Sequence, residues 1–204
     1  LGDLHIKPAQ ATDNPAEIGA VDLVIFAVKL WDTEAAAKMA RPLIGPESAI
    51  ASLQNGVEAV ERLRSVLGPA PLIGGVCHIA AAIAAPGVIR HVGTLARLTF
   101  GELAGGVSPR VEAFVAACVK AGIHAAASPD INRVMWEKFI FLSSFSGVTA
   151  LTRLPKGPIF AEPDTRALFR AAAEESAAVT DEAGAGDGGR PWNRTRHESP
   201  RRSY

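Results

Sequence analysis

The chain has 204 residues, of which 48% are hydrophobic, and this is enough for a substantial core in one large or two small domains. Its 21 lysines and arginines balance 21 aspartates and glutamates, so no overall charge favours nucleic acid or a membrane as a partner. Two cysteines without a CxxC pattern argue against a disulfide framework or a zinc site. No apolar run is long enough to cross a bilayer, and the cytoplasm is the expected compartment.

The first part of the chain alternates strand and helix patterns. Continuous apolar runs indicate parallel strands that are covered on both faces, and Pro42 and Gly68 end the helices between them. In chain order we predict a strand at residues 22–28, a helix at 33–41, a strand at 48–53, a turn at 54–56, a helix at 57–67 and a strand at 72–79. Strands that alternate with helices predict a parallel α/β sheet.

A second group of elements follows the punctuation at Pro86 and Gly87. Two β-rich pieces are expected to form an antiparallel edge of the sheet, and a capped helix and a short strand come next. The predicted ranges are 88–92 and 96–100 for the two pieces, 109–121 for the helix and 123–127 for the strand.

The pattern becomes helical near residue 129. We predict a long apolar helix at 131–151, a Pro/Gly-rich turn at 154–158 and an alanine-rich helix at 165–183. The predicted fold is α/β: an incomplete Rossmann-like parallel-sheet domain at residues 1–128, then a truncated all-helical domain at 129–184. Residues 185–204 are predicted to be a disordered tail.

The composition of the tail admits three interpretations. It could be a basic segment for an anionic partner, an ordinary disordered end, or the remains of a domain that was cut off or lost its reading frame. We favour the third, because the helix before it keeps an apolar face with nothing to pack against.

Three polar side chains occupy positions where chemistry is expected. Lys29 follows the first predicted strand and Asn55 lies in the turn after the second, and open α/β sheets bind ligands at such strand ends. Lys138 has apolar residues three and four positions away on its helix, so burial should lower its pKa and make it a proton donor near neutral pH. Each has a plainer interpretation, as a solvated lysine, a turn residue and a lysine whose ammonium snorkels to water.

Other polar residues are expected to have structural roles. Glu102 is predicted to lie on a solvated face, and His78, His91 and His124 are predicted to be core or rim histidines, with no metal site.

Four segments in order, AVKLWDT, SLQNGV, PGVIRHVG and MWEKFIFLSSFSGVTALTR, resemble the ketopantoate reductase family, the 2-dehydropantoate 2-reductases. The match runs from about residue 2 to residue 184. It implies a Rossmann domain that binds NADPH, a helical domain, and an active site in the cleft between them. It further implies that Lys138 is catalytic, that Lys29, Asn55 and Ala80 contact the NADP cofactor, and that Asn55 also faces the keto acid substrate. A homodimer is left open.

The chain also departs from this family. Leu142, Ser146 and Lys156 stand where family members that act on ketopantoate carry asparagines, which favours a more apolar 2-keto acid or ketone as substrate. Ser146 is aligned with Lys138 at a spacing of four and is expected to contact the substrate.

Two features of the family are missing, the GxGxxG turn after the first strand and the C-terminal region. We therefore expect a fragment that is inactive by itself. The alternatives are an inactive remnant that serves as an interaction module, and another two-domain hydroxyacid dehydrogenase, which AVKLW and QNGV disfavour.

Overall fold

The computed structural model describes residue 7 and residues 9–182, so the predicted tail and the last residue of the helix predicted to reach residue 183 lie outside the described residues. The strands are β1 (Val21–Phe26), β2 (Ile44–Ser52), β3 (Leu72–Ala85), β4 (Val88–Glu102) and β5 (Ala125–Ala127). The helices are α1 (Thr33–Ala40), α2 (Ala59–Leu67), α3 (Pro109–Lys120), α4 (Ile131–Thr152), α5 (Lys156–Ala161) and α6 (Pro163–Glu182). Within the described ranges no helix combines the length and apolar character that a membrane span requires.

The five strands form one sheet in the order β1-β2-β3-β4-β5. The first three strands are parallel, β4 is antiparallel to β3, and β5 is parallel to β4. After β5 the described chain is helical from α4 to α6. This confirms the predicted α/β sheet followed by a helical part.

The antiparallel pair β3 and β4 is longer than predicted. The two pieces predicted at 88–92 and 96–100 belong to one strand of 15 residues, because β3 itself has 14 residues and supplies a partner along most of its length. The prediction that these two pieces form an antiparallel edge of the sheet is wrong, since together they are one strand that pairs with β3 on one side and with β5 on the other.

The turn predicted at 154–158 is also wrong in part, because α5 begins there. Pro155 is the extended residue before the helix, and Pro158 lies in its first turn. The first turn of a helix has no internal partner for its N–H groups, so a proline there removes no helical hydrogen bond.

The hydrophobic core lies on both faces of the sheet. Ile50 of β2 packs with Ala37 of α1 and Leu63 of α2, in one cluster. Its neighbours on the strand, Ala49 and Ala51, belong to a second cluster that includes residues of α3. Because successive strand residues point to opposite faces, the continuous apolar runs of the sequence correspond to strands that are covered twice.

The start of α4 is seated in a notch in the sheet made by two glycines. Gly74 of β3 pairs with Gly101 of β4, and Ile131, the fully buried first residue of α4, lies over them. A Cβ on Gly74 would lie 2.7 Å from Ile131 side-chain atoms, and one on Gly101 would lie 2.8 Å from the Ile131 Cβ. Only glycine therefore leaves room for this contact, and the contact fixes where α4 leaves the sheet.

Glu102, at the end of β4, has a different environment from the one predicted. Its carboxylate accepts hydrogen bonds from Arg110 Nε at 2.7 Å, Arg110 Nη2 at 2.6 Å and Ser108 Oγ at 2.5 Å. The Glu102 side chain is 16% exposed, so the predicted solvated face is wrong. These bonds, with that from Arg110 first, outweigh burial and lower the pKa of the Glu102 carboxyl.

Candidate active site

Lys138 reaches from α4 across to the sheet. Its Nζ donates one hydrogen bond to Asn55 Oδ1 and one to the Cys77 carbonyl oxygen, both at 2.8 Å. Among the residues described, no carboxylate pairs with it. The side chain is half-buried, and this burial lowers the pKa of the Lys138 ammonium, the direction expected from its apolar helix.

Asn55 is the acceptor that faces Lys138 from the end of β2. The turn that carries it needs Gly56, whose φ of 96° lies in the region that glycine adopts without strain. The Asn55 amide nitrogen donates to no other residue within the described chain, so it is free to donate to a ligand.

Gln54 ties the loop after β1 to the loop after β2. Its Nε2 donates to the Val28 carbonyl oxygen and to Thr33 Oγ1, both at 2.8 Å, and its Oε1 accepts from Ser52 Oγ at 3.0 Å. Lys29 is the residue that follows Val28, so Gln54 holds the backbone on which Lys29 is carried. The sequence interpretation concentrated on Asn55 and missed this role, for which the only signal was an amide beside the turn.

A cleft of about 850 Å³ opens between the carboxyl ends of β1 and β2, the middle of β3 and β4, and α4. Lys29, Asn55 and Lys138 all line it. Its other lining residues are Ala27, Val28, Leu30, Trp31, Leu53, Gln54, Cys77, His78, Ile79, Leu95, Arg97, Val134, Glu137, Phe141 and Leu142. Three of the five residues predicted for the site are therefore brought together.

The remaining two predicted residues lie beside this cleft rather than in its lining. Ala80 is exposed on β3, three residues after Cys77. Ser146 is exposed on α4, two turns beyond Lys138.

His78 and Arg97 also line the cleft, although neither was predicted as a site residue. They are directly opposed in the β3–β4 ladder, and opposed residues of an antiparallel pair project from the same face. Burial, and then the charges of Lys138 and Arg97, lower the pKa of His78, so its imidazole is neutral at pH 7. Finding Arg97 from sequence would have required the register of a hairpin, which a single sequence does not give.

The two cysteines are free thiols. Cys118 is a buried residue of α3, and Cys77 is half-buried where its carbonyl oxygen accepts a hydrogen bond from Lys138. Burial raises the pKa of both thiols. In the described part of the chain, no cluster of histidine, cysteine, aspartate or glutamate could hold a metal ion.

Two family models match this chain. The model described as "Ketopantoate reductase PanE/ApbA" covers residues 1–105, and "Ketopantoate reductase PanE/ApbA C terminal" covers residues 130–199. The chain belongs to the ketopantoate reductase family. The second match runs through most of the segment predicted to be a tail, and the division into domains stays a prediction.

Curated relatives support the same assignment. The 2-dehydropantoate 2-reductase of Mesorhizobium japonicum is 32% identical in an alignment of length 203 that covers 90% of this chain and 62% of the relative. The oxidoreductase YkpB of Bacillus subtilis is 31% identical over 145 residues, 71% of this chain and 48% of the relative. The chain thus spans about half to three fifths of the length of these relatives.

Solved structures of the family have the same fold. The 2-dehydropantoate 2-reductase of Geobacter metallireducens superposes with a TM-score of 0.80 at 30% identity, covering 91% of this chain and 60% of its own. That of Porphyromonas gingivalis gives 0.77 at 30% identity, with 87% and 61% covered. These likenesses confirm the predicted Rossmann-like domain followed by a helical part.

The family implies a nicotinamide dinucleotide cofactor, and the donors at the end of the sheet suit one. The Lys29 ammonium can pair with a phosphate, and the free amide nitrogen of Asn55 can donate to a carboxamide oxygen. Trp31 lines the same side of the cleft with 74% of its surface exposed, which offers an aromatic wall. The residues present therefore fit the cofactor at this end of the cleft.

The phosphate-binding turn is a separate matter. Residues 184–189 spell GxGxxG, but they follow α6 rather than a strand and lie outside the described residues. The fingerprint needs a strand before it and a helix after it, so this run does not supply the predicted missing turn.

Proposed function

We propose that this cleft belongs to an NADPH-dependent reductase of a 2-keto acid or related ketone, with Lys138 as the general acid. The observation that carries the proposal is the Lys138 ammonium, half-buried, free of any carboxylate among the described residues, and hydrogen-bonded to Asn55 and to the Cys77 carbonyl oxygen. A lysine held in this way is charged but poorly neutralised, which suits it to a substrate oxygen that gains negative charge.

The hydrogen bonds of Lys138 leave capacity for a ligand. An ammonium has three N–H groups, and two of them donate to Asn55 and Cys77, so one is left for a substrate carbonyl. A bound nicotinamide would supply hydride to the ketone carbon. Lys138 would then stabilise the oxygen and give up its proton, which its lowered pKa favours.

We propose Lys29, Asn55 and Ala80 as the cofactor contacts, with NADP as the cofactor. Lys29 and Asn55 are supported by their position in the cleft at the ends of neighbouring parallel strands. Ala80 rests on the family resemblance and on its position three residues beyond Cys77.

The substrate is proposed to be either 2-dehydropantoate or a more apolar 2-keto acid. Val134, Phe141 and Leu142 of α4 line the cleft around Lys138, and they favour an apolar side chain on the substrate. Asn55 and Ser146 are the proposed polar substrate contacts, although Ser146 lies two turns past Lys138 and would be reached only by the far end of a ligand.

The domain division is also proposed, with the change of domain between residues 128 and 129. Strand β5 ends at Ala127, α4 begins at Ile131, and the C-terminal family model starts at residue 130.

Titration of the 204-residue chain with NADPH, followed by cofactor fluorescence, tests the proposal. Lys29→Gln should weaken any binding, whereas Lys38→Gln, on an exposed position of α1 outside the cleft, should leave it unchanged. We propose that the 204 residues alone do not catalyse reduction, because no strand-borne GxGxxG is among them, and micromolar binding of NADPH would contradict that part.

The function itself is tested by NADPH oxidation with 2-keto acids, using a version of the protein that binds the cofactor. Replacing Lys138 with methionine should abolish turnover and leave NADPH affinity unchanged. Turnover of the Lys138→Met protein at the parent rate would remove Lys138 as the acid.

A further inference from the structure

The charges of the cleft are strongly unequal. Lys29, Arg97 and Lys138 line it, against a single carboxylate, Glu137. Glu137 is already paired with Arg133 through a bond of 2.8 Å. The cleft therefore presents three cations and one engaged carboxylate, which suits a ligand with more than one negative group.

Arg97 is the cation in this set with no role so far. Its side chain is exposed, and within residues 9–182 it makes neither an ion pair nor a hydrogen bond. Its counterpart on the same strand, Arg90, also lacks an ion pair but lies outside the cleft lining. An unpaired guanidinium at the wall of a cleft is available to a ligand carboxylate.

The position of Arg97 follows from the order of the strands. Lys29 comes after β1, Asn55 after β2, Lys138 is bonded to Cys77 of β3, and Arg97 is on β4. Because the strands lie side by side in this order, Lys29 and Asn55 are on one side of Lys138 and Arg97 is on the other. Both Arg97 and Lys138 line the cleft with His78, and the charges of both lower the pKa of His78, so both lie near this imidazole.

We propose that Arg97 binds the carboxylate of the substrate, a 2-keto acid with an apolar side chain. This rests on the proposed function, since it assumes that Lys138 faces the ketone oxygen. In a 2-keto acid the carboxylate carbon is bonded to the ketone carbon, so two cations that line the cleft near the same imidazole can engage both groups at once. The planar guanidinium can hold a carboxylate through two parallel hydrogen bonds.

Arg97 thereby binds the substrate carboxylate in a chain that has Leu142 and Ser146 on α4 where related proteins carry asparagines. Leu142 occupies the cleft wall one turn beyond Lys138, where it can contact only an apolar group. The anchor of the substrate carboxylate is thus on the β3–β4 hairpin, and Leu142 of α4 is left to contact the substrate side chain.

The test is direct binding of 4-methyl-2-oxopentanoate to the 204-residue chain by calorimetry, with and without NADPH. Arg97→Gln should raise the dissociation constant about 10- to 100-fold, as expected for loss of a charge-assisted hydrogen-bond pair. Arg97→Lys should recover part of the affinity, and the matched variant Arg90→Gln should bind like the parent. For 4-methyl-2-pentanone, which has the same ketone but no carboxylate, Arg97→Gln should change nothing.

Three results would overturn the proposal: no measurable binding of the keto acid by the parent chain, equal affinity in the parent and Arg97→Gln, or weaker NADPH binding in Arg97→Gln with unchanged keto acid binding. The last would assign Arg97 to the dinucleotide phosphates. A cofactor-binding version of the protein that binds the keto acid through Arg97 but does not oxidise NADPH with it would instead count against the proposed function. The two failures are thus distinguishable.

Discussion

Asn55 and Lys138 are 83 positions apart in sequence, and the ammonium of one donates to the amide oxygen of the other at 2.8 Å. The amide is a neutral acceptor, so it holds the ammonium without neutralising its charge. A carboxylate in its place would attract the proton and oppose the effect of burial.

Replacing Asn55 with aspartate should therefore raise the pKa of Lys138, which burial lowers from 10.5 in the parent. The titration of Lys138 should move to higher pH, because an ion pair favours the charged form of both partners. This can be followed by NMR of the lysine ε-carbon. An unchanged Lys138 titration in the Asn55→Asp protein would mean that residue 55 does not contact the Lys138 ammonium.

The glycine notch under Ile131 predicts a steric penalty. Gly101→Ala would bring a Cβ to 2.5 Å from the Ser128 carbonyl oxygen and 2.8 Å from the Ile131 Cβ, so the free energy of unfolding should fall by roughly 1–3 kcal/mol or more. Chemical denaturation measures this fall in the free energy of unfolding.

Gly147 provides the control for this substitution. It lies inside α4 with nothing within 4 Å of an added Cβ, and Gly147→Ala should stabilise the protein by about 0.5–1 kcal/mol.

The contact can also be tested with the double variant Gly74→Ala with Ile131→Val. It should be less destabilised than the sum of the losses in the two single variants. Simple additivity would argue against direct contact.

Glu102 predicts a loss of stability in acid. Its carboxyl pKa is lowered in the folded protein, so its contribution is present above the unfolded value of about 4.3 and is lost as the pH falls through the folded value. Glu102→Gln should lower the free energy of unfolding at pH 7 by roughly 1–2 kcal/mol, allowing for solvent screening of Arg110. The difference from the parent should shrink in acid.

Glu175→Gln is the matched control, since Glu175 is exposed in the middle of α6 and forms no ion pair within the described chain. The free energy of unfolding of this control variant should equal that of the parent at each pH. If Glu102→Gln behaved in the same way as this control, the Arg110 bond would contribute nothing to stability.

Gln54 predicts a local effect on the loop that carries Lys29. Gln54→Ala removes the donor to the Val28 carbonyl oxygen and to Thr33 Oγ1, so amide hydrogen exchange at residues 29–33 should become faster. Exchange in β4 should not change. Gln10→Ala, an exposed position before β1, serves as the control, and equal exchange in the two variants would show that Gln54 does not hold the loop.

The sequence was sufficient for the elements that local patterns define. β1 lies in a nearly continuous apolar run, and α3 and α4 have side-chain caps at Ser108 and Asp130, so these elements were predicted within a few residues. For β2 only the part from Ser48 onward was predicted, because its first residues include Gly45, Pro46 and Glu47. Lys29, Asn55 and Lys138 could be found because each lies at a strand end or on an apolar helix face, features that survive without any knowledge of register.

The features that were not predicted depend on contacts between residues that are not neighbours in the sequence. The β3–β4 hairpin includes a stretch whose local sequence resembles a loop. Arg97 reaches the cleft only because it is opposed to His78. Glu102 looked solvated because its partner Arg110 belongs to the following helix. Such relationships are fixed by tertiary structure, and single-sequence patterns do not contain them.

The packing of Ile131 against the two glycines has a consequence for the position of the Lys138 ammonium. Ile131 and Lys138 are two attachment points of one rigid rod, about 10 Å apart along its axis, and both attach to β3. Two points define a line, so α4 can neither slide along the sheet nor swing sideways without breaking one of them. The placement of the Lys138 ammonium is thus determined by core packing a full two turns away, and its height above the sheet is set before any ligand arrives.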